Sequence, residues 1–274
     1  MHPVLFRIGP LAIHGYGLML SLSFLIGVYL SIWRGRKMGL DPAKMMDLAM
    51  YVMLSSAVGA RLFYVIPHWE EFSGHLWDVI NPFQNGEIGL SGLTLYGGLI
   101  LAVVVGIGYA RRHHMPVWRV TDAMAPAVAL GIFFTRIGCF LNGCCFGNPS
   151  VLPWAVVFPR NSAAGYLFRD APIHPTQLYS SLYGLAIFGV LLFAERFKRF
   201  DGFTFWIFVL LYSVARFAVD FVRYYEESMT LFHAGSVGIS LNQGISAAGF
   251  VLAWVMLLIL RKRSATEIQA GVNA

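Results

Sequence analysis

Long apolar windows recur along the whole chain, and they constrain its fold more than any other feature. Each is long enough to cross about 30 Å of hydrocarbon as an α-helix that rises about 1.5 Å per residue. They cover residues 15–33, 48–66, 90–110, 120–135, 177–194, 203–222 and 237–260, and the short fourth window is expected to continue toward Phe140. Membrane-spanning β-strands would instead alternate over segments of about 10 residues. The pattern predicts an all-α polytopic membrane protein with seven transmembrane helices.

The composition excludes several other classes of protein. Hydrophobic residues are 57% of the chain and charged residues only 12%, whereas a soluble domain carries about 25% charge. A water-facing surface cannot be built from so few charges, which excludes a soluble redox or metal protein. Three cysteines in 274 residues also exclude a small fold that depends on disulfides.

Basic residues between the windows predict the orientation of the chain in the membrane. Thirteen of the 20 Lys and Arg residues form four clusters that seven spans would place on one side: Arg34, Arg36, Lys37 and Lys44; Arg111, Arg112 and Arg119; Arg196, Lys198 and Arg199; Arg261, Lys262 and Arg263. By the positive-inside rule this side is cytoplasmic, so the N-terminus is extracytoplasmic and the C-terminus cytoplasmic. The net charge of +6 follows from this topology, and no nucleic-acid partner is expected.

The same topology predicts the domain organisation. A single transmembrane domain is expected over residues 1–263, followed by a polar cytoplasmic tail at 264–274. Two extracytoplasmic segments, 67–89 and 142–176, would form a small loop region outside the membrane.

Three arginines lie at membrane depth in this prediction, namely Arg61, Arg136 and Arg216. An arginine there costs at least about 2.5–3.5 kcal/mol on insertion scales, so each needs a partner. Asp220 is the one acidic residue well inside a window. The excess of positive charge predicts an anion from outside the protein, and planar guanidinium groups suit the phosphate of a lipid headgroup.

The sixth window carries a polar face. Tyr212, Arg216 and Asp220 are spaced at i, i+4 and i+8, and Arg223 follows seven residues after Arg216. All four project from roughly one side of a helix. A structural ion pair between Arg216 and Asp220 is the simpler interpretation, but it does not account for Arg61 and Arg136.

The segment after the fourth window is rich in glycine and cysteine. Gly138, Gly143 and Gly147 allow tight turns, and Asn142-Gly143 is a turn dipeptide whose backbone N–H groups can hold an anion; an ordinary turn is the alternative. Cys139, Cys144 and Cys145 lie here as well. Two interpretations of these cysteines are open: a disulfide from Cys139 to Cys144 or Cys145 on the oxidising side, and simple packing under the loop, which is the plainer one. Because the chain has no Cys-x-x-Cys pair, no metal site is predicted.

His174-Pro175-Thr176-Gln177 opens the fifth window. A histidine at the outer interface can bind phosphate or transfer a proton. A solvated side chain is an equally good interpretation of His174 from the sequence alone.

Taken together, these segments are similar to the prolipoprotein diacylglyceryl transferase family, the enzymes that lipidate bacterial lipoproteins. The resemblance covers nearly the whole chain. It is carried by Val4-Leu5-Phe6-Arg7-Ile8-Gly9-Pro10, His14-Gly15-Tyr16-Gly17-Leu18-Met19, Gly59-Ala60-Arg61, Tyr96-Gly97-Gly98-Leu99-Ile100, Asp122-Ala123-Met124-Ala125-Pro126, Arg136-Ile137-Gly138-Cys139-Phe140-Leu141-Asn142-Gly143 with Gly147, His174-Pro175-Thr176-Gln177-Leu178-Tyr179, Arg216-Phe217-Ala218-Val219-Asp220-Phe221-Val222-Arg223 and Gln243-Gly244-Ile245-Ser246.

The resemblance implies a reaction and its partners. It is the transfer of diacylglycerol from phosphatidylglycerol to the lipobox cysteine of a preprolipoprotein, in the bacterial cytoplasmic (inner) membrane and without a cofactor or metal. It also implies that Tyr16, Arg136, Asn142, Gly147 and Arg216 occupy positions important for activity.

The chain departs from the family pattern at four positions. Tyr96 stands where the family commonly has His, Cys139 where it has Asn, Cys144 where it has Glu, and Asp220 where it has Glu. The identity of the proton acceptor is therefore open. The departures are compatible with a divergent transferase, or with a paralogue that binds or moves an anionic phospholipid without this chemistry.

Within the transferase interpretation, Arg136 and Arg216 are expected to stabilise charge on the leaving phosphate. The other candidate catalytic residues are Tyr16 and Tyr96 as hydrogen-bond donors and Asp220 and His174 as proton acceptors. The candidate substrate-binding residues are Arg61, Gly97, Gly98, Asn142, Gly143, Gly147, Gln177, Tyr212 and Arg223.

Overall fold

The computed structural model describes residues 4–8, 11–72, 74, 76–79, 83–84, 87–88, 94–160, 162–225, 230–234 and 237–272. Within these residues the chain is mainly helical. Its α-helices are α1 (Gly15–Lys37), α2 (Pro42–Val65), α3 (Trp69–Phe72), α4 (Leu95–Arg112), α5 (Val117–Asn142), α6 (Ala163–Phe168), α7 (Thr176–Ala194), α8 (Phe203–Asp220) and α9 (Leu241–Val272).

Six helical segments of the described chain are long and apolar enough to cross a membrane. They are Gly15–Lys37, Pro42–Val65, Val117–Asn142, Thr176–Phe197, Phe203–Asp220 and Leu241–Ser264. Each coincides with one of the predicted windows, so the prediction of a helical multi-pass membrane protein is confirmed. The remaining window, 90–110, corresponds to α4, and its residues 90–93 lie outside the described part of the chain.

Several helix bounds differ from the predicted ones. The fourth window was expected to run past residue 135, and α5 does continue to Asn142, with Pro126 inside it. The last helix begins at Leu241 because residues Val237–Ser240 form a strand. It also continues through the predicted tail to Val272, where Ala, Glu and Gln are good helix formers.

Short antiparallel hairpins accompany the helices. β1 (Val4–Ile8) pairs with β2 (Leu11–His14) immediately before α1. β3 (Phe83–Gln84) pairs with β4 (Glu87–Ile88) within the predicted loop 67–89, of which residues 73, 75, 80–82, 85, 86 and 89 lie outside the described chain. β5 (Thr230–Ala234) pairs with β6 (Val237–Ser240) directly before α9.

The helices expose large apolar side chains where a soluble protein would bury them. Leu25 is 66% exposed, Val104 60% and Val251 60%. Such surfaces are stable against lipid tails rather than water.

The sequence predicted one transmembrane domain, and the chain divides into two compact units. In the smaller unit, residues 32–120, α2 and α4 pack through glycine. A Cβ added to Gly97 would lie 2.4 Å from the carbonyl oxygen of Gly59, and one added to Gly98 would lie 2.9 Å from that of Ser56. Small residues allow membrane helices to approach this closely.

The larger unit comprises residues 1–31 and 121–274, and polar contacts join its helices. Ser181 Oγ donates to the carbonyl of Phe133 at 3.0 Å, which ties α7 to α5. The fully buried Asp122 accepts from the backbone of Gly202 at 2.7 Å and pairs with Lys198 at 2.8 Å. Asp122 therefore connects α5 to the start of α8. The hydrogen bond and the ion pair offset the free-energy cost of burying its charge.

The loop between α5 and α7 has a small core of its own. Phe158, Ala164 and Ile173 are buried there, and Phe140 and Phe146 pack against them. This core lies between the end of α5 and the start of α7, and it positions the residues described next.

Candidate functional site

Arg216 is held at the end of α8 by a network of buried polar groups. Its Nη1 forms an ion pair with Asp220 Oδ1, and its Nη2 donates to the Tyr225 hydroxyl at 2.6 Å. That hydroxyl donates to the same carboxylate oxygen at 3.0 Å, and Ser240 Oγ donates to the other oxygen at 3.4 Å. Arg216 is only 8% exposed. The network fixes its orientation, since both oxygens of Asp220 are engaged.

Sequence reasoning missed Tyr225 and Ser240. Burial raises the pKa of the Tyr225 phenol, so this hydroxyl stays protonated at neutral pH. Ser240 and Gln243 form a capping box at the start of α9, with Ser240 Oγ accepting from Gln243 N at 3.1 Å and Gln243 Oε1 accepting from Ser240 N at 2.9 Å. The Ser-x-x-Gln spacing was a readable signal for this cap. Helical periodicity offers none for Tyr225, which lies beyond the end of α8.

Arg136 lies near the end of α5, and it shares two tyrosine neighbours, Tyr183 and Tyr212, with Arg216. Tyr183 and Tyr212 are within Coulombic range of both guanidinium groups, and their rings meet edge to face with centroids 6.1 Å apart. In the described part of the chain no carboxylate forms an ion pair with Arg136. The two arginines thus differ, because Arg216 has a carboxylate partner and Arg136 has none there.

Tyr16 lies at the start of α1, beside the end of α5. A Cβ added to Gly138 would lie 3.2 Å from the Cα of Tyr16, so the missing side chain allows the two helices to approach. Arg136 and all three cysteines act electrostatically on the Tyr16 phenol, which is 36% exposed. Tyr16 and Arg136 are therefore within Coulombic range of each other.

Gly143 and Gly147 fit the loop for different reasons. Gly143 has φ of +70°, in the left-handed region that favours glycine. A Cβ on Gly147 would lie 2.5 Å from the Val222 carbonyl oxygen and 2.6 Å from His174 Cβ. Gly147 N donates to the carbonyl of His174 at 3.1 Å, and Gly147 forms a β-bridge with Arg223. It thereby joins the start of α7 to the end of α8.

The first turn of α7 holds the two adjacent cysteines by their backbone. Thr176 Oγ1 donates to the carbonyl of Cys145 at 2.8 Å, and Gln177 Nε2 donates to that of Cys144 at 2.7 Å. Gln177 is fully buried. Through this hydrogen bond Gln177 connects the first turn of α7 to the cysteine loop.

The three cysteines meet in space. All are free thiols, and their Sγ atoms lie within 4.8 Å of one another. Hydrogen bonds from the Cys139 and Cys144 thiols, aided by the charges of Arg223 and Arg136, hold the pKa of the Cys145 thiol below its usual range although burial opposes this. Cys145 also adopts a left-handed φ of +60°, which is uncommon for a residue with a side chain.

Two other predicted residues lie at the edge of this cluster. Asn142 is exposed at the end of α5 and hydrogen-bonds to the Cys144 thiol. His174 Nδ1 lies 3.2 Å from the hydroxyl of Tyr179, which accepts from Trp154 Nε1 at 2.7 Å. His174 is thereby oriented by Tyr179 through one ring nitrogen.

The remaining candidates belong to the smaller unit. Arg61 Nε donates to the carbonyl of Val79 at 2.9 Å, and its guanidinium carbon lies 5.1 Å from the centre of the Phe72 ring. Tyr96 is 48% exposed on α4, and Gly97 and Gly98 face α2. Within this unit, Arg61 stabilises the segment after α2, and the two glycines serve helix packing.

The fold and the cluster define a class: a polytopic helical membrane protein with arginines at helix ends beside free thiols. The family model described as prolipoprotein diacylglyceryl transferase matches residues 3–259, and the chain belongs to this family. The resemblance read from the motifs is thereby confirmed.

Individual relatives agree with the family match. The chain is 32% identical to a protein of Campylobacter hominis, covering 99% of this chain and 95% of the relative. It is 34% identical to one of Bordetella avium, covering 97% of each, and 33% identical to one of Prochlorococcus marinus, covering 81% of this chain and 78% of the relative. All three are named phosphatidylglycerol–prolipoprotein diacylglyceryl transferase.

Proposed function

We propose that the chain transfers the diacylglyceryl group of phosphatidylglycerol to the lipobox cysteine of bacterial preprolipoproteins. Similarity to transferases over nearly the whole chain supports this. The observation that carries the proposal is the shared surroundings of Arg136 and Arg216, because two guanidinium groups around one pair of tyrosines suit a phosphate.

The reaction is a displacement at carbon. The lipobox sulfur attacks the glycerol carbon that bears the phosphate, the carbon–oxygen bond breaks, and its electron pair leaves with the phosphate. The products are a thioether and glycerol phosphate, and the thiol proton passes to a base or to water. The negative charge that grows on the leaving phosphate is the main demand on the protein.

Arg136 and Arg216 meet this demand in different ways. Arg216 is held by Asp220 and Tyr225, so little reorganisation is needed when charge develops. Arg136 has no ion-pair partner in the described residues and is available to bind phosphate directly. Tyr16 is assigned as a hydrogen-bond donor beside Arg136, and Tyr212 and Arg223 complete the anion-binding surface.

Proton removal needs less help from the protein. A thiol with a pKa near 8.5 is already a few per cent thiolate at neutral pH, so a base contributes on the order of 1–2 kcal/mol. Asp220 is engaged by Arg216, Tyr225 and Ser240, and we assign it to positioning Arg216. His174 is the better candidate acceptor. Tyr96 and Arg61 remain candidate contacts to the lipid.

The topology proposed for this function has seven spans, with α4 as the third. The four basic clusters are then cytoplasmic, the N-terminus is extracytoplasmic, and the loop between α5 and α7 faces the compartment where lipoprotein precursors emerge. The location is the bacterial inner membrane. Cysteine-accessibility scanning of single cysteines placed at the exposed positions 43 and 152 tests it, because only the second should react in intact spheroplasts.

The transferase assay tests the function directly. Purified protein is incubated with phosphatidylglycerol and a lipobox peptide, and mass spectrometry should detect a peptide heavier by one diacylglyceryl unit. A peptide with Ser in place of Cys and a reaction with phosphatidylethanolamine are the controls. Binding of phosphatidylglycerol without any modified peptide would favour the alternative, a lipid-binding paralogue.

A further inference from the structure

The fold brings three thiols together although their spacing in the sequence matches no metal motif. Cys139 lies in the last turns of α5, and Cys144 and Cys145 follow in the loop. Their Sγ atoms lie within 4.8 Å of one another. We propose that Cys139, Cys144 and Cys145 form a three-thiolate site for a zinc ion.

The distances suit zinc. A zinc–sulfur bond of about 2.3 Å in a tetrahedral site places the sulfur atoms about 3.8 Å apart. The thiols therefore have to move inward by about 1 Å at most to share one ion.

The surroundings support a bound ion. Thr176 and Gln177 hold the carbonyls of Cys145 and Cys144, so the loop carrying two of the ligands is fixed from α7. Cys145 keeps a left-handed backbone that costs energy for a residue with a Cβ. Zinc with three thiolates carries one net negative charge, and Arg136 and Arg223 lie within Coulombic range to compensate it.

One coordination position remains. The described chain offers no fourth Cys, His, Asp or Glu to this group. Three protein ligands with a free fourth position are typical of catalytic rather than structural zinc sites. Loading the site releases to water the protons that the coordinating thiols still carry.

The fourth position suits the sulfur of the lipobox cysteine, a role that rests on the proposed function. The peptide thiol would release its proton to water or to a base on binding zinc. Its zinc-bound sulfur would attack the glycerol carbon, the carbon–oxygen bond would break, and the electron pair would leave with the phosphate. The neutral thioether is a weaker ligand than a thiolate and would dissociate, which frees the site for another turnover.

Metal content tests the site independently of any activity. Full-length protein, purified through a tag without histidine and fully reduced, is loaded with one equivalent of zinc and passed through a desalting column. We expect about one zinc per chain by mass spectrometry of the metal. Loading with cobalt instead should produce a thiolate-to-cobalt charge-transfer band in the near ultraviolet.

Two variants and a control make this measurement specific. Cys145→Ser removes one ligand, and Cys139→Asn with Cys144→Glu introduces the residues that the family motif carries, so a folded protein is expected. Each variant should retain at most about one tenth of the zinc that the unmodified protein retains. His113→Gln removes a potential metal ligand in the smaller unit and should retain zinc like the unmodified protein.

Several outcomes would overturn the site. They are equal zinc retention by the double variant and the unmodified protein, binding of cuprous ion but not zinc, and a disulfide between any two of the cysteines in protein alkylated directly in intact membranes.

The catalytic role has its own test. Removing zinc with a chelator should lower the transferase rate at least about tenfold, and one equivalent of zinc should restore it. Zinc binding with an unchanged rate after its removal would overturn the role. A zinc-loaded protein that modifies no peptide would contradict the proposed function and leave the metal site in place.

Discussion

The helices of the two compact units are held together by different interactions. Membrane helices gain no hydrophobic energy from meeting, so they associate through close packing or through polar bonds. In the smaller unit, α2 and α4 meet backbone to backbone at Gly59 and Gly97. In the larger unit, buried polar groups connect α8 to α9, with Asp220 joining Arg216 and Ser240. Buried polar and charged groups are costly in a membrane helix, and glycine packing in the smaller unit shows that helices can associate without them. Their concentration in the larger unit therefore indicates where the chemistry is expected.

The largest expected effect is at Arg216. Arg216→Gln should lower transferase activity about 10²–10³-fold, because it removes an oriented positive charge and leaves Asp220 buried without its partner. Arg136→Gln should cost a similar factor without leaving a buried carboxylate. The lipobox-peptide assay measures both, with Arg160→Gln as the exposed control. An inactive Tyr96→Phe beside an active Arg216→Gln would reverse this ranking.

The next effect concerns the glycine contact of the smaller unit. Gly97→Ala places a Cβ 2.4 Å from the Gly59 carbonyl oxygen and should lower stability by about 1–3 kcal/mol. Thermal unfolding in detergent measures it, and Gly108→Ala is the control because no atom lies within 4 Å of its added Cβ. Loss of activity with unchanged unfolding would instead assign Gly97 to lipid binding.

A smaller effect is expected at Tyr225. Tyr225→Phe removes the hydroxyl that links Arg216 to Asp220, and a hydrogen bond of this kind is worth about 0.5–1.5 kcal/mol. We expect kcat to fall up to about tenfold while the KM for phosphatidylglycerol changes little. Tyr224→Phe is the matched control, since its ring stacks on Phe146. Equal effects of the two variants would argue against the positioning role of Tyr225.

The smallest effect is expected at the exposed pair of Arg160 and Asp170. The hydrogen bond from Arg160 lowers the pKa of Asp170, so its contribution to stability is present above the ordinary carboxyl pKa and is lost as the pH falls through the lowered value. The side chains are 79% and 57% exposed, so water screens them. Asp170→Asn should not shift the unfolding temperature measurably at neutral or acidic pH. A clear shift would mean that the pair has an unexpected structural role.

Much of the site could be predicted where residues share one helix. The spacing of Arg216 and Asp220 predicted a common face, and the structure pairs them. Gly97 and Gly98 are predicted to bind substrate, and the tertiary structure adds that both lie in the close packing of α4 against α2. The contacts of Tyr225 and the proximity of the three thiols depend on how separate segments of the chain pack together. No local sequence pattern predicts that packing.

By itself the sequence determined that the chain is a multi-pass helical membrane protein, because long apolar windows with few charges satisfy their backbone in lipid only as helices. It determined the family as well, through motifs spread along the chain. The tertiary structure alone decided that Cys139 meets Cys144 and Cys145, and that Arg216 is held while Arg136 has no carboxylate partner among the described residues. The physical reason is that helical periodicity relates residues within a segment, whereas contacts between segments depend on loop geometry and on the small residues that let backbones approach.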